Sequence, residues 1–234
     1  MKNGFLNRKM FAVACAALLF AGMGMMAFAQ YSHRDRKQEQ RLDWMQHEVR
    51  MAEYRQHLNQ QRLLYAQSLA QLQVAKRMAH YRYQQRYETL MLQQQRVYEA
   101  VRVHDARNDP FYLTRFDRRY NRGGVFYMTN QYGIEHIHQA VQLGYAEGYK
   151  AGMADRQDRW RSDYESCDAY RDAIYGYNGY YVSRDDYNYY FREGFRRGYE
   201  DGFNRIYRYG SYENGKYVVR RNILEGIVAV EMLR

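Results

Sequence analysis

Two series of glycines at every fourth position constrain this chain more than any other feature. Gly144, Gly148 and Gly152 lie in GYAEGYKAG, and Gly194, Gly198 and Gly202 lie in EGFRRGYEDGF. Four residues is close to one helical turn, so each series marks one face of a helix. Each interior glycine costs a helix about 1 kcal/mol relative to alanine, or roughly 6 kcal/mol over the two series. Close helix approach offsets that cost: the glycines leave a shallow groove in which a second backbone seats with Cα–H···O contacts. The series have equal length and flank a helical connector, so they are expected to face one another as a helix hairpin. The residues that follow the glycines, Tyr145, Tyr149, Met153, Phe195, Tyr199 and Phe203, then flank the groove and supply apolar area. A Gly/Tyr-rich low-complexity tract and a ligand cradle are the competing explanations. The strict period and the capping boxes nearby favour a packing surface.

Those boxes delimit the helices. One helix is expected from about Ile134 to Arg159, a second from Ser162 with Glu165 to Gly176, and a third from Ser183 with Asp186 to near Gly210. The segment TRFDRRYNRGG reads as a short helical turn, with Thr114 and Asp117 as a capping pair and Gly123 as the stop, and GVFYM as a brief strand. YENGKY has the Asn-Gly centre of a type I′ hairpin. NILEGIVAVEML is a docking helix or a buried strand, which periodicity does not separate.

Upstream the texture differs. No glycine occurs between Gly24 and Gly123, and Pro110 is the single proline. Residues 38–107 are rich in Gln, Arg, Leu, Ala, Met and Glu, which predicts one long helix of about 70 residues. Its apolar positions Leu42, Met45, Val49 and Ala52, then Tyr65, Leu69, Leu72, Ala79, Tyr83, Tyr87, Leu90, Val97 and Val101, make an imperfect coiled-coil seam carrying Lys76 and Gln94. That stripe must be buried by self-association or by docking on the second half. The fold expected is therefore mainly α: a long Gln/Arg-rich helical arm over residues 30–109, and a compact Gly/Tyr-rich helical domain over 110–234 with a glycine-groove hairpin and at most a short β-hairpin.

Residues 1–29 have the form of a signal peptide. Lys2, Arg8 and Lys9 precede an apolar run from Met10 to Met26, and Ala27-Phe28-Ala29 places cleavage before Gln30. A retained anchor is the alternative, and a lipoprotein signal through Cys15 fits poorly. Cleavage takes the formal charge from +10 to +7, leaves Cys167 as the single thiol and implies a periplasmic or extracellular location. Cys167 is a small buried residue or an inter-subunit partner.

The positive excess lies mainly in residues 31–109. Arg55, Arg62, Lys76, Arg77, Arg82 and Arg86 fall in a stretch, Tyr54 to Tyr87, that holds no carboxylate. They are candidate anion-binding residues, against a plainly solvated helix face. Arginine interleaved with tyrosine also occurs in nucleic-acid binders. An exported protein instead meets lipid headgroups, lipopolysaccharide or other envelope polyanions.

Chemistry-bearing patterns are sparse. His136 and His138 diverge by about 200° on a helix, so they do not form a metal pair there. Asp155, Asp158, Asp163, Glu165 and Asp168 lack the spacing of a calcium loop and read as a solvated helix boundary. Cys167 has no base partner in sequence, and no nucleophile elbow, P-loop or dinucleotide fingerprint occurs. The expectation is no catalytic residue, no cofactor and no metal.

GYAEGYKAGMADR and YYFREGFRRGYEDGFNR, with YRDAIYGYNGYY between them, resemble a group of uncharacterised exported bacterial proteins that carry GΦxxGYxDGΦ repeats near the C-terminus. The resemblance covers residues 138–210 and implies an exported helical module without assigned catalytic residues. The functional expectation is a structural or interaction protein of the cell envelope, with a homo-oligomer through the arm and an anionic envelope component as candidate partners.

Overall fold

The structure is a computed structural model that describes residue 49 and residues 52–100 and 108–233. The signal segment, its cleavage site, Leu42, Met45 and Val101 lie outside the described residues. The protein is mainly helical, and residues 47–234 form one compact unit.

The single long helix is not what the chain forms. Helix α1 covers residues 52–74, a turn follows, and α2 runs Met78–Ala100. Lys76 sits in the left-handed region at φ 55°. Arg77 N donates to Leu72 O and Lys76 N to Gln73 O, the paired bonds of a Schellman stop. The two helices therefore fold back on each other, with Tyr65 edge-on to Tyr87 and Tyr54 edge-on to Tyr98. The buried stripe is Tyr54, Leu58, Tyr65, Leu72, Ala79, Tyr83, Tyr87 and Met91. Val49 and Val97 from the expected seam are exposed.

Asp109 caps the short α3 (Pro110–Leu113) by accepting from Phe111 N. The expected helical turn at Thr114 to Gly123 is instead strand β1 (Arg118–Arg122), paired antiparallel with β2 (Val125–Thr129) across Gly123-Gly124, both at positive φ. Tyr120 is the reason. It is buried in β1, stacked on Tyr127 and edge-on to Tyr190, so a strand places the ring where packing rewards it.

Asn130 caps α4 (Gln131–Gln157), accepting from Tyr132 N and Gly133 N. The segment expected as one helix from Ser162 is a 3₁₀ turn (Tyr164–Ser166) and a short α5 (Asp168–Asp172) that stops at left-handed Ala173. Ser183 caps α6 (Arg184–Asn204) as the sequence indicates. The Asn-Gly hairpin forms between β3 (Gly210–Glu213) and β4 (Lys216–Val219). The C-terminal apolar run is both things at once: α7 (Arg221–Ile227), then β5 (Val230–Met232), which adds to β1 and completes a sheet of order β2-β1-β5. The β content thus exceeds the single hairpin expected.

Candidate functional site

Gly144, Gly148 and Gly152 on α4 do face Gly194, Gly198 and Gly202 on α6, but the helices run parallel and do not form a hairpin. The register shows it. A Cβ built on Gly144, Gly148 or Gly152 meets the backbone of Phe191, Phe195 or Tyr199, and one built on Gly194, Gly198 or Gly202 meets Val141, Tyr145 or Tyr149. At all six positions it lies 2.8–3.1 Å from the facing carbonyl carbon and closer still to its oxygen. Every glycine therefore opposes the residue three before its equivalent fifty positions away, as a two-fold axis parallel to the helices requires. The connector allows this: residues 158–183 carry the polypeptide back along the pair before α6 begins, with Asp163 N at Tyr199 OH, Tyr170 O at Arg192 and Tyr175 O at Tyr187 OH.

Of the expected flanking residues, Tyr145, Tyr149, Phe195 and Tyr199 are buried, whereas Phe203 is half-buried and Met153 is exposed. Tyr187, Phe191, Phe195, Tyr199 and Phe203 stack in sequence along α6 at 6.0–6.5 Å between centroids. Two tyrosines also cross the seam: Tyr145 OH donates to Asp201 Oδ2 at 2.8 Å, and Tyr199 OH to Asp155 Oδ2 at 2.6 Å. A buried tyrosine needs such a partner, which explains the preference for Tyr over Phe at these two positions.

The acids expected to be solvated are mostly structural. Asp155 is fully buried and accepts from Arg77 and His80 Nδ1, both at 2.5 Å, on Oδ1. Burial alone would raise its carboxyl, but the His80 and Tyr199 bonds and the Arg77 charge outweigh that and hold it below the ordinary range. Asp158 caps α2 from outside, accepting from Ala79 N and His80 N at 2.9 and 2.8 Å. Asp172, also buried, takes His57 Nε2 at 2.5 Å, Tyr65 OH at 2.7 Å and Tyr87 OH at 3.4 Å. Buried Glu147 pairs with Arg86 and Lys150. Burial raises the Asp168 carboxyl. Acids on α4 and α5 thus bolt the α1–α2 hairpin down, and sequence reasoning missed His57, His80 and Asp172 because their partners lie 75–115 residues away.

The six candidate anion-binding cations do not share one free face. Arg77 is buried against Asp155 and over the Trp160 ring, and Arg86 is spent on Glu147. Arg55, Arg62, Lys76 and Arg82 are exposed.

Among the described residues, His80, Asp155 and Cys167 each place one ligand atom within 4.8 Å of the others. Asp155 Oδ1 already receives Arg77 and His80, so the guanidinium stands where a cation would sit. Burial pushes the Cys167 thiol well up, which leaves it protonated and a poor nucleophile. His136 is buried against Tyr187 and burial drives its imidazole down to about 4, while His138 is half-buried and lowered by the same cause. None of the described helices is long and apolar enough to cross a membrane. No family model, curated protein or solved structure matches the chain.

Proposed function

We propose that this protein is an exported, non-enzymatic structural or interaction component of the bacterial cell envelope. The observation that carries the reading is how the polar interior is used. Asp155, Asp172, Glu147 and Asp201 are each engaged by tyrosine, histidine, arginine, lysine or backbone donors of the same chain. Groups spent this way build a frame, whereas a reacting centre keeps acids and bases available to substrate. The signal-like residues 1–29 and the resemblance of residues 138–210 to exported bacterial proteins support the location. Fractionation of the native cell tests it: the protein is expected in the periplasmic or extracellular fraction with Gln30 as its first residue by mass spectrometry. Recovery from the cytoplasm with Met1 to Ala29 retained overturns export.

A second reading rests on the exposed Arg55, Arg62, Lys76 and Arg82 in a stretch without carboxylates. These four cations would bind an anionic envelope component. Co-sedimentation with phosphatidylglycerol vesicles, lost at about 0.5 M salt and missing with phosphatidylcholine, is the expected result. Equal sedimentation with both lipids overturns it.

A further inference from the structure

We infer that one pole of the molecule, where α1, α4 and α6 end, lies on an anionic bilayer surface. The inference rests on the reading of the protein as a binder of anionic envelope components, and it moves that role to residues of which Lys76 alone belongs to the α1 stretch. Hydrogen bonds bring the three helix ends together. Asp158, at the end of α4, accepts from Ala79 N at 2.9 Å and His80 N at 2.8 Å, which sets it beside the turn that closes α1. Arg156 donates to Phe203 O at 3.1 Å, which ties the end of α4 to the end of α6.

The three ends are built alike. Lys76, Arg159 and Arg205 hold the left-handed stops after α1, α4 and α6, at φ 55°, 55° and 56°, and all three are exposed. Glycine takes that conformation freely, whereas any side chain is strained there. A cation near a helix C-terminus complements the dipole, yet it does so equally from the last helical turn, where the backbone is relaxed. Strain kept three times at one place implies a task for those side chains beyond stopping a helix. Within two residues of each comes a bulky, exposed apolar side chain: Met78 at 44%, Trp160 at 37%, and Ile206 and Tyr207 at 41% and 43%.

Charge selects the occupant. Arg161 and Arg208 pair with Asp163 and Glu200, and Asp158 and Asp201 turn inward onto backbone amides. Glu165 follows Asp163, whose N–H meets Tyr199 OH and so already lies back from the end of α6. Among the described residues, Lys76, Arg159 and Arg205 have no carboxylate partner, and Arg156 meets only a backbone carbonyl, so the unmatched charge at the pole is positive. A soluble polyanion would match the cations and leave Met78, Trp160, Ile206 and Tyr207 in water. An apolar protein surface would do the reverse. An anionic bilayer meets both, with headgroup phosphates at the cations and the interface receiving the rings and aliphatic chains.

The test uses the exported protein purified from its cells, carrying Trp44→Phe so that Trp160 is the single tryptophan. Phosphatidylglycerol vesicles are expected to bind it and shift the Trp160 emission to the blue, and phosphatidylcholine vesicles to do neither. Arg159→Gly with Arg205→Gly removes two charges and relaxes two stops, so the thermal melt is expected to hold or rise while vesicle binding weakens at least about tenfold. Were these arginines helix stops only, the melt would rise and binding would stay as it was, which overturns the inference. Trp160 emission that does not move on bound vesicles also overturns it, as does binding to inorganic polyphosphate without binding to vesicles. Binding lost with Arg55→Gln, Arg62→Gln and Arg82→Gln but kept by the glycine pair overturns the pole and leaves the second reading of the function standing. No vesicle binding by the otherwise unaltered protein overturns both.

Discussion

At the residue scale, one substitution has opposite signs at two glycines. Gly198→Ala gains helix propensity worth about 1 kcal/mol but drives a Cβ into the carbonyl of Tyr145, which belongs to backbone and cannot rotate away. We expect a net loss of at least about 3 kcal/mol in chemical denaturation, since overpacking here must separate two helices. Gly226→Ala on α7 meets nothing within 4 Å and should gain up to about 1 kcal/mol. Equal effects at both positions would show that the seam does not limit stability. His136 provides a pH test. Its folded-state value, about 4, lies below the unfolded 6.5, so the unfolded chain binds the proton first and stability falls as pH drops from about 7 to 4. The loss is on the order of 3 kcal/mol. His136→Phe should flatten that part of the stability–pH curve, and an unchanged slope would mean that other groups produce it.

At the element scale, helix ends were the least legible part of the sequence. Lys76, Arg159 and Arg205 each occupy a left-handed stop, a place where glycine is the usual signal. Reading glycines alone therefore carried the arm helix through Lys76 and α6 on to Gly210. Nothing local marks Lys76. The break there is set by Asp158, which caps α2, and by Asp155, which holds Arg77 and His80 in the first turn. Because the left-handed conformation strains a side chain, Lys76→Gly should raise stability by about 1 kcal/mol in thermal denaturation with the hairpin intact. Where a signal is local and steric, it was legible: the Ser183 cap and the Asn214-Gly215 turn form where the sequence places them. Strand β1 was not, since RRYNR has a single ring to bury and earns its place only through Tyr127 and Tyr190.

At the scale of the whole molecule, α1 and α2 belong to the same compact unit as the glycine seam, although composition alone divides the chain near Pro110. A fragment of residues 110–234 would lose Arg77 and His80 from Asp155, Arg86 from Glu147, and His57, Tyr65 and Tyr87 from Asp172. Arg77 with Asp155 is a buried ion pair, and removing one side of such a pair costs about 3–5 kcal/mol, a large share of the stability of a typical domain. The fragment is expected to lack near-ultraviolet circular dichroism at neutral pH, and a native-like signal would show that the hairpin is an accessory. The amino-acid sequence by itself determined that two helices must meet through their glycines, because a four-residue glycine period has a steric meaning that needs no partner to be read. Only the tertiary structure decided that the helices run parallel, that the arm turns back on itself and that scattered acids become its anchors. Those outcomes depend on pairings across 75–115 residues, and a local pattern carries no information about which distant charge or ring will arrive.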